Sequence, residues 1–512
     1  MGDDPLDDPT LSRREFIAGS ALAAGYLLSP YHGRALAATG GVREFRLVTR
    51  ETSWELAPGK VIKAMTYNDR VPGPEIRVKE GERVRVVLEN RLGEPTTIHW
   101  HGVDVPNAMD GVPGITQKPV QPAETFVYEF EARPAGTRWY HTHFKEHRQM
   151  DLGLTAPLII EPARPDPCSV DHELTVVLDD WVTGGGPALS PTREGTADAR
   201  GSMCGMSGNG MNGDMRGRGM MGGGMGGMMG RGGMGGMMGR GANHPAYDTM
   251  TINGKAYPAT EPLRLRKDER VRLRLINVSS DHSHVIRVAG HRLNVTHTDG
   301  NPLVEPVAVD ALPLAPSERY DVILTADRPG AWWLHCVQPG HASAGEQMLV
   351  VYDGYEGKRP DPAEEGAAGL AIWHHTMGRG RDVLPAASGR LRTVTQTLSG
   401  GMMGSDIWTI NGRPYPDTDP ITVKRGDRVR VRLGNMSMEA HPMHLHGQSF
   451  KVLAVNGRRV DVPLVKDSVD VGAHMGSAEI EFTAHNAGEW FFHCHKPMHM
   501  DGGMITLVKI AG

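Results

Sequence analysis

The chain alternates apolar and charged residues in short stretches, and one such stretch occurs three times. Residues 82–90 read ERVRVVLEN, residues 269–277 read ERVRLRLIN and residues 427–435 read DRVRVRLGN. Alternation with a period of two is typical of a β-strand that buries one face. Long stretches with helical periodicity are scarce, and Gly, Pro, Asn and Asp separate the strand-like segments. The pattern therefore predicts an all-β protein.

The three copies are separated by domain-sized intervals, which are too long for a solenoid of short repeats. We therefore predict three Greek-key β-sandwich domains at about 42–165, 166–355 and 356–512. The second domain contains an insertion at about 200–242, which holds 12 of the 28 methionines among glycine and arginine. This insertion has no periodic core pattern, so we expect a disordered loop there.

The N-terminal segment 1–38 has the features of an export signal. An arginine pair at 13–14 precedes an apolar stretch at 17–28, and residues 35–37 (Ala-Leu-Ala) form a small-x-small cleavage site. This order predicts a twin-arginine signal peptide and a periplasmic or extracytoplasmic location. The alternative is a chance arginine pair before a short buried helix.

Composition narrows the range of functions. The 512 residues include 55 Lys or Arg and 60 Asp or Glu, so a broadly basic surface for nucleic acid is not expected. No apolar run reaches the ~18 residues that a membrane-spanning helix needs. Four cysteines are too few for a disulfide scaffold, and the pairing of Cys168 with Cys204 stays open. The 24 histidines and 28 methionines, by contrast, indicate metal chemistry.

Four histidine motifs carry this chemistry, two in the first predicted domain and two in the third. On a strand, residues i and i+2 point to the same face, so each His-x-His pair aims two imidazoles at one region. The four pairs can meet if the two end domains pack together. The pairs are His99 and His101, His141 and His143, His444 and His446, and His493 and His495.

The last motif also contains a thiol. Cys494 points to the face opposite its flanking histidines, so a metal on its thiolate would be linked through one peptide unit to metals on the other face. His441 and His499 complete a His₂Cys set with Cys494, and Met504 supplies a weak axial thioether. This ligand set is diagnostic of a blue-copper electron-transfer site.

In order and spacing, these motifs resemble those of the multicopper oxidases, the family of laccases and bacterial cuprous oxidases. The resemblance spans essentially the whole chain after the export signal, and it implies three cupredoxin-like domains that hold four coppers. The implied ligands are His441, Cys494, His499 and Met504 for the type 1 copper, His99 and His444 for the type 2 copper, His101, His141 and His495 for one type 3 copper, and His143, His446 and His493 for the other.

The resemblance also implies the reaction, in which four one-electron oxidations of a substrate are coupled to reduction of O₂ to two waters. Asp110 stands where the family keeps an acid near the type 2 copper, so we assign it as a proton donor. A turn aspartate before Gly111 is the alternative interpretation. Some bacterial members have a glutamate where this chain has Met500, so a second proton relay would use another group, for which Asp501 is a candidate.

The middle domain departs from the family pattern. When it is aligned with the third domain, His284, Cys336 and His341 take the places of the type 1 ligands, whereas the cluster histidines are absent. Glu346 matches the axial methionine, and Met348 is a plausible axial sulfur if the loop is longer. We therefore expect a fifth copper, of type 1, in this domain. The alternative is a relic whose former ligands pack or form hydrogen bonds.

Methionine abundance bears on the substrate, because soft thioethers favour Cu(I). The insertion and the methionines of the third domain, which include Met402, Met436, Met438 and Met475, favour a cuprous oxidase in copper tolerance. Laccase-like oxidation of phenols would be a weaker side activity. A copper nitrite reductase-like enzyme would leave the eight paired histidines unexplained. A periplasmic copper-binding or storage protein would not need the Cys494 link.

Overall fold

The structure is a computed structural model that describes residues 36–39, 41–164, 168–184 and 245–512. Residues 1–35 of the predicted export signal, Cys204 and the predicted insertion at 200–242 lie outside this described part. Nearly all of its regular structure is β-sheet, which confirms the all-β prediction.

The first part of the chain forms two sheets that share one apolar core. Its strands are β1 (Leu36–Thr39), β2 (Val42–Ala57), β3 (Lys60–Tyr67), β4 (Ile76–Lys79), β5 (Arg83–Asn90), β6 (His99–His101), β7 (Thr125–Glu131), β8 (Gly136–His141) and β9 (Thr155–Glu161). One sheet has the order β1-β2-β5-β7, with β3 paired to β2, and the other has the order β4-β9-β8-β6. A 3₁₀ helix spans Asn107–Met109, and the short helix α1 spans Glu146–Gln149.

The middle part also forms two sheets. Its strands are β10 (His172–Trp181), β11 (Thr249–Ile252), β12 (Leu263–Leu265), β13 (Arg270–Asn277), β14 (His284–Val288), β15 (Leu293–Thr298), β16 (Asn301–Val309), β17 (Leu312–Leu314), β18 (Arg319–Thr325), β19 (Ala331–Cys336) and β20 (Gln347–Tyr352). The strand orders are β11-β10-β13-β18-β15-β16 and β12-β20-β19-β14-β17.

The last part repeats this arrangement. Its strands are β21 (Leu391–Gly400), β22 (Trp408–Ile410), β23 (Ile421–Lys424), β24 (Arg428–Asn435), β25 (His441–Leu445), β26 (Phe450–Val455), β27 (Arg458–Lys466), β28 (Ser468–Val471), β29 (Ser477–Thr483), β30 (Gly488–Cys494) and β31 (Ile505–Ala511). The sheets are β22-β21-β24-β29-β26-β27 and β23-β31-β30-β25-β28. Two 3₁₀ helices (His375–Met377 and Met402–Gly404) and helix α2 (Pro497–Asp501) complete it. None of the helices in the described part is long and apolar enough to cross a membrane.

The three repeated sequence segments occupy the same place in their sheets. β5, β13 and β24 each lie between a parallel neighbour from earlier in the chain and an antiparallel neighbour from later in it. β5 and β24 alternate buried and more accessible residues as their sequences predict, whereas β13 is buried on both faces. The arginines of β13 are tolerated there because Arg274 pairs with Asp321 at 2.9 Å and with Glu173 at 2.8 Å.

A buried charge network joins the three parts of the chain. Asp467, before β28, accepts two hydrogen bonds of 2.6 Å from Arg319 of β18, and Arg138 of β8 lies 3.4 Å away. Arg138 also donates to the backbone oxygen of Asp299 at 2.6 Å. All of these side chains are fully buried. Because unpaired buried charges are costly, this network fixes the relative positions of the end domains.

Candidate metal centres

The eight paired histidines lie at the ends of strands that face each other across the first and third domains. β6 and β8 pair His99 with His141, and β25 and β30 pair His444 with His493. The second histidine of each His-x-His pair lies two residues further along the chain and points to the same face. All eight rings converge, and none is more than 4% exposed. His101 stacks on His444 with ring centroids 3.6 Å apart, so the two domains meet at this point.

Three groups of these imidazoles, two of which share His101, have nitrogen atoms within 4.8 Å of one another. The groups are His101, His141 and His495; His143, His446 and His493; and His99, His101 and His444. The first two contain the residues expected for the two type 3 coppers. The third contains the expected type 2 pair, whose Nε2 atoms are 3.5 Å apart.

The ring nitrogens are arranged as metal ligands require. Backbone oxygens lie 2.7–2.9 Å from the Nδ1 atoms of His99, His141, His444 and His493, which orients these rings and leaves Nε2 for a ligand. The Nε2 atoms of His141 and His495 are buried without a protein partner. Burial, reinforced by neighbouring imidazoles, holds the pKa of His141 and His495 well below the usual range. Neutral rings with unpartnered nitrogens fit copper ions.

Asp110 lies at the edge of this cluster and is completely buried. Its Oδ2 atom is 2.9 Å from Nδ1 of His446, and its Oδ1 atom is 3.3 Å from Nδ1 of His99. Its backbone oxygen also lies 2.9 Å from that His99 nitrogen. The carboxyl group therefore contacts histidines from both end domains.

Two acidic residues near the cluster were missed by the sequence reasoning. Glu146 in α1 is fully buried, with Oε1 3.2 Å from Nδ1 of His143. Burial, and to a lesser extent the charge of Asp501, raises the pKa of Glu146 well above its usual range. Asp467 lies 3.0 Å from Nε2 of His101. Asp501 itself is partly exposed and pairs with His147.

The His₂Cys set of the third domain lies beside the cluster. Nδ1 of His441 is 3.0 Å from Nδ1 of His499, and the Cys494 sulfur is 3.6 and 3.5 Å from these two nitrogens. Met504 is fully buried and is held next to them, because Cys494 N donates to its oxygen and its own N donates to His499 O. Burial raises the pKa of the Cys494 thiol, so a bound cation is needed to hold the thiolate.

Neighbouring side chains fix the orientation of both imidazoles. The Ser437 hydroxyl lies 2.7 Å from Nε2 of His441, and Glu439 Oε2 lies 3.1 Å from Nε2 of His499. Trp408 covers His499 with ring centroids 3.7 Å apart. In both rings Nδ1 is left to face the sulfur, which is the arrangement of metal-bound histidine.

The middle domain contains a comparable set of buried donors. His284, Cys336, His341 and Glu346 have ligand atoms within 4.8 Å of one another. Glu346 takes the place expected for the axial ligand, whereas Met348 lies further along β20, opposite Leu334 in the apolar core. The structure therefore brings together three of the four residues proposed for a second type 1 site and adds a carboxylate.

Cupredoxin-like sandwiches that place a buried cysteine one residue from an eight-imidazole cluster define a copper-dependent oxidase. Sequence profiles of the family described as multicopper oxidase match residues 49–165, 231–353 and 390–511. The chain belongs to the multicopper oxidase family.

Individual proteins agree with this assignment. The chain is 31% identical to multicopper oxidase MmcO of Mycobacterium tuberculosis, over 95% of this chain and 89% of that protein. It is 28% identical to copper resistance protein A of Escherichia coli, over 98% of this chain and 99% of that protein. The crystal structure of a multicopper oxidase from Pseudomonas thermotolerans superposes with a TM-score of 0.67 at 26% identity, covering 93% of this chain and all of that one.

Proposed function

We propose that this oxidase takes electrons from Cu(I) at the Cys494 centre and uses them to reduce O₂ to water at the imidazole cluster, with phenols as poorer substrates. Copper ions in these sites would cycle between Cu(I) and Cu(II) and carry electrons singly to O₂. Each turnover would consume four substrate Cu(I) ions, one O₂ and four protons, and would release four Cu(II) ions and two waters. The observation that carries the proposal is the peptide connection between Cys494 and two cluster histidines.

The protein groups have separate tasks in this scheme. His441, Cys494, His499 and Met504 would hold the type 1 copper, and the eight paired histidines would hold the three cluster coppers. His493 and His495 adjoin Cys494 directly in the chain, which gives a covalent path from the sulfur to both type 3 sites. Asp110 would hold a proton at Oδ2 or Oδ1, within hydrogen-bond reach of His446 and His99.

Exposed thioethers next to the type 1 ligands support Cu(I) as the substrate. Met436 and Met438 flank Ser437, the serine that contacts His441, and they are 60% and 66% exposed. Met475 is 67% exposed and donates its backbone N–H to Asn435. The sulfur atoms of these methionines are therefore accessible from solvent beside the type 1 ligands, and thioethers are the ligands that Cu(I) prefers.

A carboxylate connects this methionine surface to the buried centre. Glu439 follows Met438 in the chain and contacts Nε2 of His499. Burial tends to raise the pKa of Glu439, but His499 and then Lys496 lower it overall, so the residue is an anion. The exposed thioethers would select Cu(I), and the adjacent anion would attract the cation. Glu439 connects both to His499, a type 1 ligand.

The test is the double substitution Met436→Leu with Met438→Leu, which removes both sulfurs but keeps the apolar volume. We expect kcat/KM for Cu(I) to fall about tenfold, equivalent to ~1.4 kcal/mol. Phenol oxidation should stay within about twofold. Met377→Leu is the matched control, because Met377 is 40% exposed in a different segment of the chain. Equal losses for Cu(I) and phenol, or none for either, would contradict the proposal.

We also propose that the protein acts outside the cytoplasm, after export through the twin-arginine machinery. The support is the arrangement of residues 13–37 in the sequence. Substitution of Arg13 and Arg14 by lysine should leave the oxidase in the cytoplasm. Fractionation of cells that carry the wild-type and substituted chains measures this, and equal export of the two would reject the assignment.

A further inference from the structure

We propose that the middle domain binds a metal ion of its own, a four-coordinate divalent transition-metal ion held by His284, Cys336, His341 and Glu346. The ion would stay divalent and would not pass electrons to the imidazole cluster. This site goes beyond the proposed oxidase function and does not depend on it.

The donor set is compact and closed to solvent. All four side chains are at most 1% exposed. Glu346 bridges the two imidazoles, with Oε1 2.6 Å from Nδ1 of His284 and Oε2 3.0 Å from Nδ1 of His341. The Cys336 sulfur accepts backbone hydrogen bonds from Val285 at 3.2 Å and Gln338 at 3.4 Å, as a ligating thiolate would. Four buried donors, two from strands β14 and β19 and two from the loop between β19 and β20, form a complete first coordination sphere.

The supporting contacts match those of the type 1 site. The Ser279 hydroxyl lies 2.7 Å from Nε2 of His284, the same distance as between Ser437 and His441. Cys336 N donates to Glu346 O, and Glu346 N donates to His341 O. The same two backbone bonds connect Cys494, Met504 and His499 in the third domain. Glu346 is therefore the structural counterpart of Met504.

The exchange of methionine for glutamate changes the chemistry. A thioether is a weak, soft, neutral ligand, whereas a carboxylate is hard and anionic. With Cys336 as a thiolate, the protein supplies two negative charges, which neutralise a divalent ion in a buried pocket. Two imidazoles, one thiolate and one carboxylate suit Zn(II) in a closed tetrahedral site, and they favour Cu(II) over Cu(I).

The surroundings of Cys336 lack the electron path of Cys494. Val337 follows it where a cluster histidine follows Cys494. His335 precedes it, but its cross-strand partner is Arg287, whereas the equivalent His493 faces His444. An ion at this site would therefore stabilise the domain rather than deliver electrons.

The experiment counts metal ions in the full-length protein loaded with Cu(II) alone or with an equimolar mixture of Cu(II) and Zn(II). We expect Cys336→Ser and Glu346→Gln each to bind one metal ion fewer per chain than wild type, with blue absorbance and O₂ uptake unchanged. The ion that is lost from the mixed sample shows whether the site takes zinc or copper. Met348→Leu is the matched control and should bind the full number.

Cobalt gives a second readout that does not use activity. In the Cys494→Ser background, Co(II) bound at the middle domain should show a thiolate-to-metal charge-transfer band that disappears when Cys336→Ser is added. Equal metal counts in wild type and both single variants would overturn the proposal, as would a missing cobalt band. In that case, the His284–Glu346–His341 group is a metal-free ionic network. Loss of part of the blue absorbance in Cys336→Ser would also overturn the proposal, because the site would then be a second blue-copper centre. Wild-type protein that holds the middle-domain ion but has no blue absorbance would instead contradict the proposed oxidase function.

Discussion

The buried carboxylate of Asp467 offers a quantitative test of how the end domains are held together. It accepts two hydrogen bonds of 2.6 Å from Arg319, lies 3.4 Å from Arg138 and approaches His101 at 3.0 Å. Asp467→Asn keeps the shape of the side chain but removes its charge. Two buried guanidinium groups then lose their closest shared anion.

The expected cost follows from this burial. Removal of one partner from a buried ion pair typically costs ~3–5 kcal/mol, because the remaining charge is left unpaired in a poor solvent. Burial, followed by the nearby charge of Arg319, already lowers the pKa of Arg138 to about 10. Asp299 still neutralises part of the charge, so we expect a loss near the lower end, ~3 kcal/mol.

Urea unfolding followed by tryptophan fluorescence measures this loss. The matched control is Asp382→Asn, because Asp382 forms a 2.6 Å ion pair with Lys451 but is 65% exposed. Exposed pairs contribute only ~0–1 kcal/mol, so this variant should be nearly as stable as wild type. We also expect Asp467→Asn to lose cluster copper before type 1 copper. Equal destabilisation of the two variants would refute this account of the junction.

Three further outcomes are expected. Asp110→Asn should slow reoxidation by O₂ at least ~100-fold in stopped-flow traces but leave anaerobic reduction of the blue centre unchanged; slowing of both steps would contradict its role. Burial raises the pKa of Asp151 to about 7, above the ~3.9 of an unfolded chain. Ionisation of Asp151 therefore opposes folding, and the free energy of unfolding should fall by ~1–2 kcal/mol between pH 4 and 7. This loss is smaller than the full difference in pKa implies, because the Asp151 side chain is partly exposed to solvent. Asp151→Asn should flatten this dependence, and an unchanged slope would refute the assignment. Removal of copper by a chelator should lower the urea midpoint, and re-addition should restore it.

The strands, and the face to which each pair of histidines points, could be predicted from the sequence because both follow from the two-residue periodicity of a β-strand. Alternation marks β5 and β24 as half-buried strands, and the same alternation directs each His-x-His pair to one face. The all-β class and the copper-dependent oxidase activity are confirmed. The domain limits and the copper assignments stay predictions, although the structure places the assigned histidines in matching groups.

Other features depend on contacts between distant parts of the chain. Asp467 and His101 are 366 positions apart, and no local pattern connects them. Glu146 lies between Lys145 and His147, where a glutamate is normally exposed to solvent. In the structure, however, helix α1 buries its side chain against His143. The fourth donor of the middle domain was expected to be Met348, because a buried glutamate is unfavourable until two imidazoles are known to face it.

The imidazole cluster draws its rings from residues 99–143 and 444–495, close to the two ends of the chain. The cluster therefore cannot be completed until residues 444–495 have been synthesised and have folded against residues 99–143. A chain that stops before residue 444 lacks four of the eight paired imidazoles, so an oxygen-reducing cluster cannot assemble on an unfinished polypeptide.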